Sequence, residues 1–255
     1  MAETTESVRS ERDGAVALVT ICHPPVNAIS RAVAAGILEA LGTAEVDPEC
    51  RALLITGEGE RYFSAGADIT EFPTGGDVAG SVEVTRRLEA SRLPVLAAVN
   101  GIAFGGGCEI ALACDLRICA ETARFGQPEI KLGIMPGWGG TQRLPRLIGR
   151  GPALEMLLTG DPVGAARALE CGLVTRVVAA ERLREEALEL ARVLAQRPPL
   201  AVAATKRAVH SGLDGSLEAG LAVEQEEFTR LLGTDDAREG VLAFLEKRPP
   251  TWRGR

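Results

Sequence analysis

The sequence predicts an α/β fold that gives way to helices near its C-terminus, and three observations predict it. In the first half, short apolar runs rich in β-branched residues alternate with helix-length patterns; this is the signature of βαβ units with mostly parallel strands. After Gly139 helical patterns dominate. Pro198-Pro199 then separates the α/β portion from a last group of helices, which divides the chain into a core, 1–197, and a helical region, 198–255.

Each element has a local reason. Residues 15–21 (AVALVTI) read as a strand, stopped by Pro24-Pro25. Ser30 can cap a helix that ends near Leu41. Residues 52–56 (ALLIT) form a second buried strand, ended by Gly57 and Gly59. A helix at 81–91 follows, then strands at 94–99 and 116–120. Beyond Gly139, helices are expected at 141–148, 153–158, 165–171 and 181–196, interrupted by a short strand at 173–178. The final helices cover 200–211, 217–232 and 235–245, and Pro249-Pro250 ends the last of them.

Composition narrows the function. The 255 residues carry a net charge of -7 with 46% apolar residues. A nucleic-acid binder usually shows a basic face, so that class is disfavoured, and no apolar run approaches the roughly 20 residues that span a bilayer. The start, Met1-Ala2-Glu3-Thr4-Thr5-Glu6, is acidic and polar, unlike a signal or transit peptide. None of the six cysteines forms a C-x-x-C pair, and His23 and His210 are the two histidines. Buried core thiols in a reducing cytoplasm are the better reading than disulfides or zinc.

The chemistry concentrates in two glycine-containing turns that follow buried strands. One is Phe63-Ser64-Ala65-Gly66-Ala67-Asp68, and the other is Gly101-Ile102-Ala103-Phe104-Gly105-Gly106-Gly107. Brought together, each can give one backbone N–H to the same carbonyl oxygen, an arrangement that stabilises an enolate or a tetrahedral oxyanion; alone, each is also consistent with a plain tight turn. The glycine run lacks the G-x-G-x-x-G spacing of a dinucleotide site and the Gly-Lys-Ser/Thr of a P-loop. Glu109 is anomalous in an otherwise apolar helical stretch, where a charge is expected to be paired or used. With Glu129, twenty positions on in Gly126-Gln127-Pro128-Glu129, it forms a carboxylate pair suited to acid/base work on one water.

These motifs, with residues 19–30 (VTICHPPVNAIS), 63–69 (FSAGADI), 94–115 (PVLAAVNGIAFGGGCEIALACD), 125–129 (FGQPE), 132–144 (LGIMPGWGGTQRL), 158–161 (LTGD) and 235–248 (DDAREGVLAFLEKR), are collinear over nearly the whole chain. The sequence resembles the crotonase superfamily, and within it most closely the enoyl-CoA hydratases. The resemblance implies an α/β spiral of repeated ββα units with a C-terminal helical trimerisation region, assembled as a homotrimer or a dimer of trimers. It implies reversible syn addition of water across the 2-trans double bond of an enoyl-CoA thioester, with no cofactor beyond the coenzyme A of the substrate. The oxyanion hole would be the N–H groups of Ala67 and Gly106, with Glu109 as base toward water and Glu129 as proton donor to C2. Gly137 would help to hold the water, and Gln127 would support Glu129 or line the substrate site. Coenzyme A contacts fall on Val26, Ala28, Ala65, Asp68 and Ile69, and on Phe244 and Lys247 reaching a neighbouring subunit. Trp138 departs from the small residue common at this point of the family, which bears on the acyl pocket, as does the short segment between Ile69 and Ser81. An enoyl-CoA isomerase is the enzymatic alternative; an RNA-binding or structural subunit is the other.

Overall fold

The computed structural model describes residues 7–74 and 78–255. The acidic start at 1–6 and part of the segment between Ile69 and Ser81 lie outside the described residues.

Two sheets organise the chain. The larger contains β1 (Val8–Asp13), β2 (Val16–Ile21), β3 (Ala52–Gly57), β5 (Val95–Val99), β7 (Leu116–Ala120) and β10 (Arg176–Val178), in that spatial order. The smaller contains β4 (Tyr62–Ser64), β6 (Ile102–Phe104), β8 (Arg124–Gly126) and β9 (Val163–Gly164). Three successive passages of the chain, β3 to β4, β5 to β6 and β7 to β8, each give one strand to each sheet, and like strands stack in parallel. This is the spiral of ββα turns. Amides tie its corners together: Asn100 Nδ2 donates to Gly59 O at 2.7 Å and Tyr62 O at 3.1 Å, and Asn27 Nδ2 donates to Glu58 O at 3.0 Å and Tyr62 O at 2.9 Å.

The central strands are buried on both faces, as in helix-covered parallel sheets. One set, Ala17, Val19, Leu53, Ile55, Val95 and Ala97, packs toward α1 (Arg31–Val46), α2 (Val78–Ala90) and α3 (Gly106–Ala113). The alternate set, Val16, Leu18, Leu54, Leu96 and Ile118, packs under Leu183, Ala187 and Ala191 of α7 (Leu183–Ala195). Fully burying one such leucine or isoleucine stabilises by about 1.5–3 kcal/mol. A one-residue slip would exchange the two sets, so register is firmly fixed. Ser30 caps α1 through Val33 N at 3.3 Å.

The remaining helices are α4 (Gly140–Ile148), α5 (Arg150–Thr159), α6 (Ala165–Glu170), α8 (Pro199–Leu213), α9 (Leu217–Leu232) and α10 (Asp235–Glu246). Lys206 of α8 ties the C-terminal helices to the sheet. Its Nζ lies 2.7 Å from both Asp115 Oδ2 and Leu93 O, and the same Asp115 oxygen accepts from Val95 N at 2.7 Å. Among the described residues no helix is long and apolar enough to cross a membrane.

Some sequence expectations need correction. The strand expected at 173–178 shortens to Arg176–Val178, because Leu173 N and Val174 N bond Ala168 O at the end of α6 instead. The antiparallel strand β1 and the whole second sheet escape a pattern reading. β1 is polar and half exposed, and the strands of the second sheet are at most three residues long. Glu129 lies on a single 3-10 turn, Pro128–Leu132.

Lys206→Met should strand the nearly buried Asp115 carboxylate and lower stability by about 3 kcal/mol, read as a fall in urea midpoint at unchanged slope. An unchanged midpoint would show that Lys206 does not hold α8 to the sheet.

Candidate active site

The first turn leaves β4 and runs beside the Val26–Ile29 stretch. Ile29 N donates to Gly66 O at 2.8 Å and Asp68 N donates to Ile29 O at 3.0 Å, an isolated parallel bridge between Ile29 and Ala67. In this register the bonds flank Ala67, so its own N–H points away from Ile29. The second turn leaves β6 and becomes α3. Gly105, at φ 49° and ψ -125°, is the N-cap, and the first helical bond is Glu109 N to Gly105 O at 2.9 Å. The N–H of Gly106, the first helical residue, therefore has no partner inside the helix.

Missing side chains let these turns meet. A Cβ on Gly66 would come within 2.9 Å of Phe104 O and 3.4 Å of Gly106 N, and one on Gly105 within 2.9 Å of Glu129 Oε1. Gly66 is at φ 107° besides, where a side chain is strained. The Trp138 indole lies so close to Gly106 that any side chain there would overlap it.

Glu109 projects from α3 and is 2% exposed. Its Oε1 accepts from Trp138 N and Gly140 N, both at 2.7 Å. Gly140 opens α4, so the carboxylate also faces a helix N-terminus. Burial raises the Glu109 pKa, and the two N–H bonds, which favour the anion, oppose that rise. Glu129 has weaker support: burial pushes it up to about 7, its own backbone N–H opposes that rise, and the Glu109 charge adds to it. The two carboxyls titrate as a pair, with the proton favoured on Glu129.

A cavity of about 250 Å³ opens over these groups. It brings together Ala67, Gly106, Glu109, Glu129 and Gly137, with Ala65, Asp68 and Ile69 at its first-turn side. Leu132, Ile134, Met135 and Trp138 supply an apolar wall. Val26 and Ala28 do not line it; they back the first turn, with Val26 O accepting from Ala65 N at 3.0 Å and Ala28 O 2.7 Å from His23 Nδ1. Phe244, 83% exposed, and Lys247, the C-cap of α10, also lie outside its lining.

One reading of the sequence changes here. Gln127 is completely buried, so it does not present a surface to a ligand. With its amide nitrogen toward Glu129 it donates to both carboxylate oxygens, at 3.1 and 3.3 Å. And while Gly137 does line the cavity, the N–H groups of its turn that hold Glu109 belong to Trp138 and Gly140. The doubled glycine Gly139-Gly140 was the available signal for that turn; Gly139 adopts φ 110°.

The model of the enoyl-CoA hydratase/isomerase family matches residues 11–255. A short-chain-enoyl-CoA hydratase of Clostridium acetobutylicum is 43% identical, over 93% of this chain and 94% of that protein. A 2,3-dehydroadipyl-CoA hydratase of Escherichia coli is also 43% identical, over 96% of this chain and 97% of that protein. Among solved structures, an enoyl-CoA hydratase from Bacillus anthracis superimposes with a TM-score of 0.94 at 37% identity, covering 98% of this chain and 100% of that one.

The raised Glu129 pKa carries a stability consequence. The folded value, about 7, lies above the model-compound value of 4.5, so this group's contribution is complete below about pH 4.5 and is lost as pH rises through 7. Glu129→Gln does not titrate there. It should therefore gain on the native chain between pH 4.5 and 8, by on the order of 1 kcal/mol after allowance for partial exposure. Thermal midpoints across that range test this; a pH-independent difference would contradict the raised pKa.

Proposed function

The chain belongs to the enoyl-CoA hydratase/isomerase family, and from that premise we propose that this cavity hydrates the 2-trans double bond of an enoyl-CoA thioester with Glu109 and Glu129 as its acid/base pair. The protein is an enoyl-CoA hydratase, a hydro-lyase. The observation that carries the residue assignment is the convergence of a buried and a half-buried carboxyl of unequal environment with two turns that offer backbone N–H groups.

The thioester carbonyl oxygen sits between the N–H groups of Ala67 and Gly106. Glu109, kept anionic by the Trp138 and Gly140 N–H bonds, takes a proton from water as the water oxygen bonds to C3. The π electrons move onto the thioester oxygen, where the two N–H groups stabilise the enolate. Its collapse takes a proton from Glu129 at C2, giving the 3-hydroxyacyl thioester. Passage of a proton from Glu109 to Glu129 resets the pair. A pKa near 7 suits Glu129 to donate at neutral pH. The two carboxyls and two N–H groups supply the chemistry on this reading, and coenzyme A enters only with the substrate.

The same cavity supports a short, uncharged acyl tail. Its wall is apolar, and its described lining contains Asp68 and Glu71 besides the catalytic pair but no Lys, Arg or His. The Trp138 indole fills space against Gly106. A tail ending in a carboxylate would find no cation among the described lining residues to receive it. In this respect the chain differs from what the name of its Escherichia coli relative states for that protein.

The helical region 198–255 is the oligomerisation region in this proposal, forming a trimer or a pair of trimers. Support comes from apolar side chains left in solvent on α9 and α10, among them Leu217, Phe228, Leu232, Val241 and Phe244, each at least 60% exposed. In such an assembly Phe244 and Lys247 would face the coenzyme A of a neighbouring subunit, with Val26 and Ala28 at the first-loop contact and Ala65, Asp68 and Ile69 on the adenine and pantetheine side. Six unpaired cysteines support a cytoplasmic location.

Glu109→Gln should lower crotonyl-CoA hydration by about 10²-fold or more, followed as loss of the conjugated-thioester absorbance; an isomerase would lose much less, and retained hydration would refute Glu109 as the base. In the wild type, four- and six-carbon enoyl-CoA esters should turn over fastest, with 2,3-dehydroadipyl-CoA slower than its uncharged six-carbon counterpart by about tenfold or more in kcat/KM. Equal rates for those two would refute the selection against charge.

A further inference from the structure

The base of this site is held by a turn, and the turn is itself held. Both N–H groups on Glu109 Oε1 come from the segment Trp138-Gly139-Gly140. A peptide unit is planar, so aiming an N–H means fixing its plane. The two donating N–H groups lie in the peptide planes before Trp138 and before Gly140. The plane between them carries the Trp138 carbonyl.

That carbonyl has two side-chain partners. Arg143 Nη1 of α4 donates to it at 2.9 Å. Thr85 Oγ1 of α2, completely buried, lies 2.9 Å from it and 3.0 Å from Val82 O, so its single proton is shared between the two. The guanidinium is oriented in turn by Glu89, which receives Arg143 Nε at 2.9 Å and Nη2 at 2.7 Å, a bidentate pair with side chains 17% and 35% exposed. A side chain at position 139 would overlap Arg143 Nη1, so the glycine is what lets the guanidinium pass beneath the turn.

We propose that Arg143, oriented by Glu89, is a positioning residue for hydration: it locks the middle peptide plane of the Trp138–Gly140 turn and thereby aims two N–H groups at the Glu109 carboxylate. The proposal rests on Glu109 being the base. Arg143 itself lies outside the cavity lining, so its loss should fall on turnover and leave substrate binding intact.

The test is crotonyl-CoA hydration by Arg143→Gln, Arg143→Lys and Glu89→Gln, with Arg143→Gln repeated in a Glu109→Gln background. Arg143→Gln should lose about tenfold in kcat with KM within about twofold. Arg143→Lys keeps the charge but not the planar fork, and should still lose about fivefold; wild-type kcat in the lysine variant would mean that charge alone matters and would overturn positioning. In the Glu109→Gln background, Arg143→Gln should cost less than about twofold, since the group it positions is already disabled. An equal loss in both backgrounds, or a change confined to KM, would overturn the proposal while leaving Glu109 as the base. If Glu109→Gln alone keeps full hydration, the base assignment fails first and the brace with it. Should Arg143→Gln not fold by circular dichroism, Glu89→Gln, which keeps the guanidinium but breaks its bidentate charged pair, is read by the same criteria with an expected loss of about threefold.

Discussion

The site depends on one steric constraint, the contact of two backbone turns with no side chain between them. Gly66 faces Phe104 O and Gly106 N, and Gly107 is pressed onto Ser64. Each turn sits at the end of a strand of the smaller sheet, β4 for the first and β6 for the second, and those strands are hydrogen-bonded neighbours. Parallel stacking therefore brings consecutive turns of the spiral to the same edge, and the glycines allow them to close. The unpartnered N–H groups of Ala67 and Gly106 follow from that geometry, one from bridge register and one from a helix start. Backbone donors fixed this way need no reorganisation as charge develops on a bound oxygen.

The parts of the site that are legible in the sequence are local anomalies. Glycines at strand ends and a glutamate inside CEIALAC contradict their surroundings, and such conflicts concentrate at functional positions. Long buried strands are legible for the opposite reason, since β2 and β3 agree with their local preferences throughout; β7, despite the buried Arg117, matches its expected span of 116–120. The smaller sheet is hidden because three residues establish no period. The contacts around Glu109 are hidden for a different reason. Two of its partners are backbone N–H groups 29 and 31 positions away, and the brace joins Arg143 to Glu89 across 54 positions. Residue type reveals nothing about a main-chain donor, and an Arg and a Glu on separate amphipathic helices look like ordinary solvated charges.

Gln127 illustrates the gap between motif and structure. Its neighbourhood to Glu129 in sequence suggests a shared role, but only burial decides which. A completely enclosed amide cannot touch a ligand, whereas one aligned with a carboxylate can hold its rotamer and stabilise its charged form. A carboxamide neither gains nor loses a proton near neutral pH, enclosed or not, so in the proposed pair the proton exchange stays with Glu129.

Chemistry at this site turns on asymmetry between two otherwise similar carboxyls. Both are driven upward by burial, and two equal acids side by side would share protons without assigned roles. Main-chain donors break the tie. Glu109 receives two short N–H bonds from the 138–140 turn, while Glu129 is backed by a neutral amide and faces the Glu109 charge. On the proposed reading the proton thus rests, before substrate arrives, on the group that donates it; base and acid are set by which carboxyl the turn reaches, with the orientation of that turn in the hands of Thr85, Glu89 and Arg143, which lie outside the cavity lining.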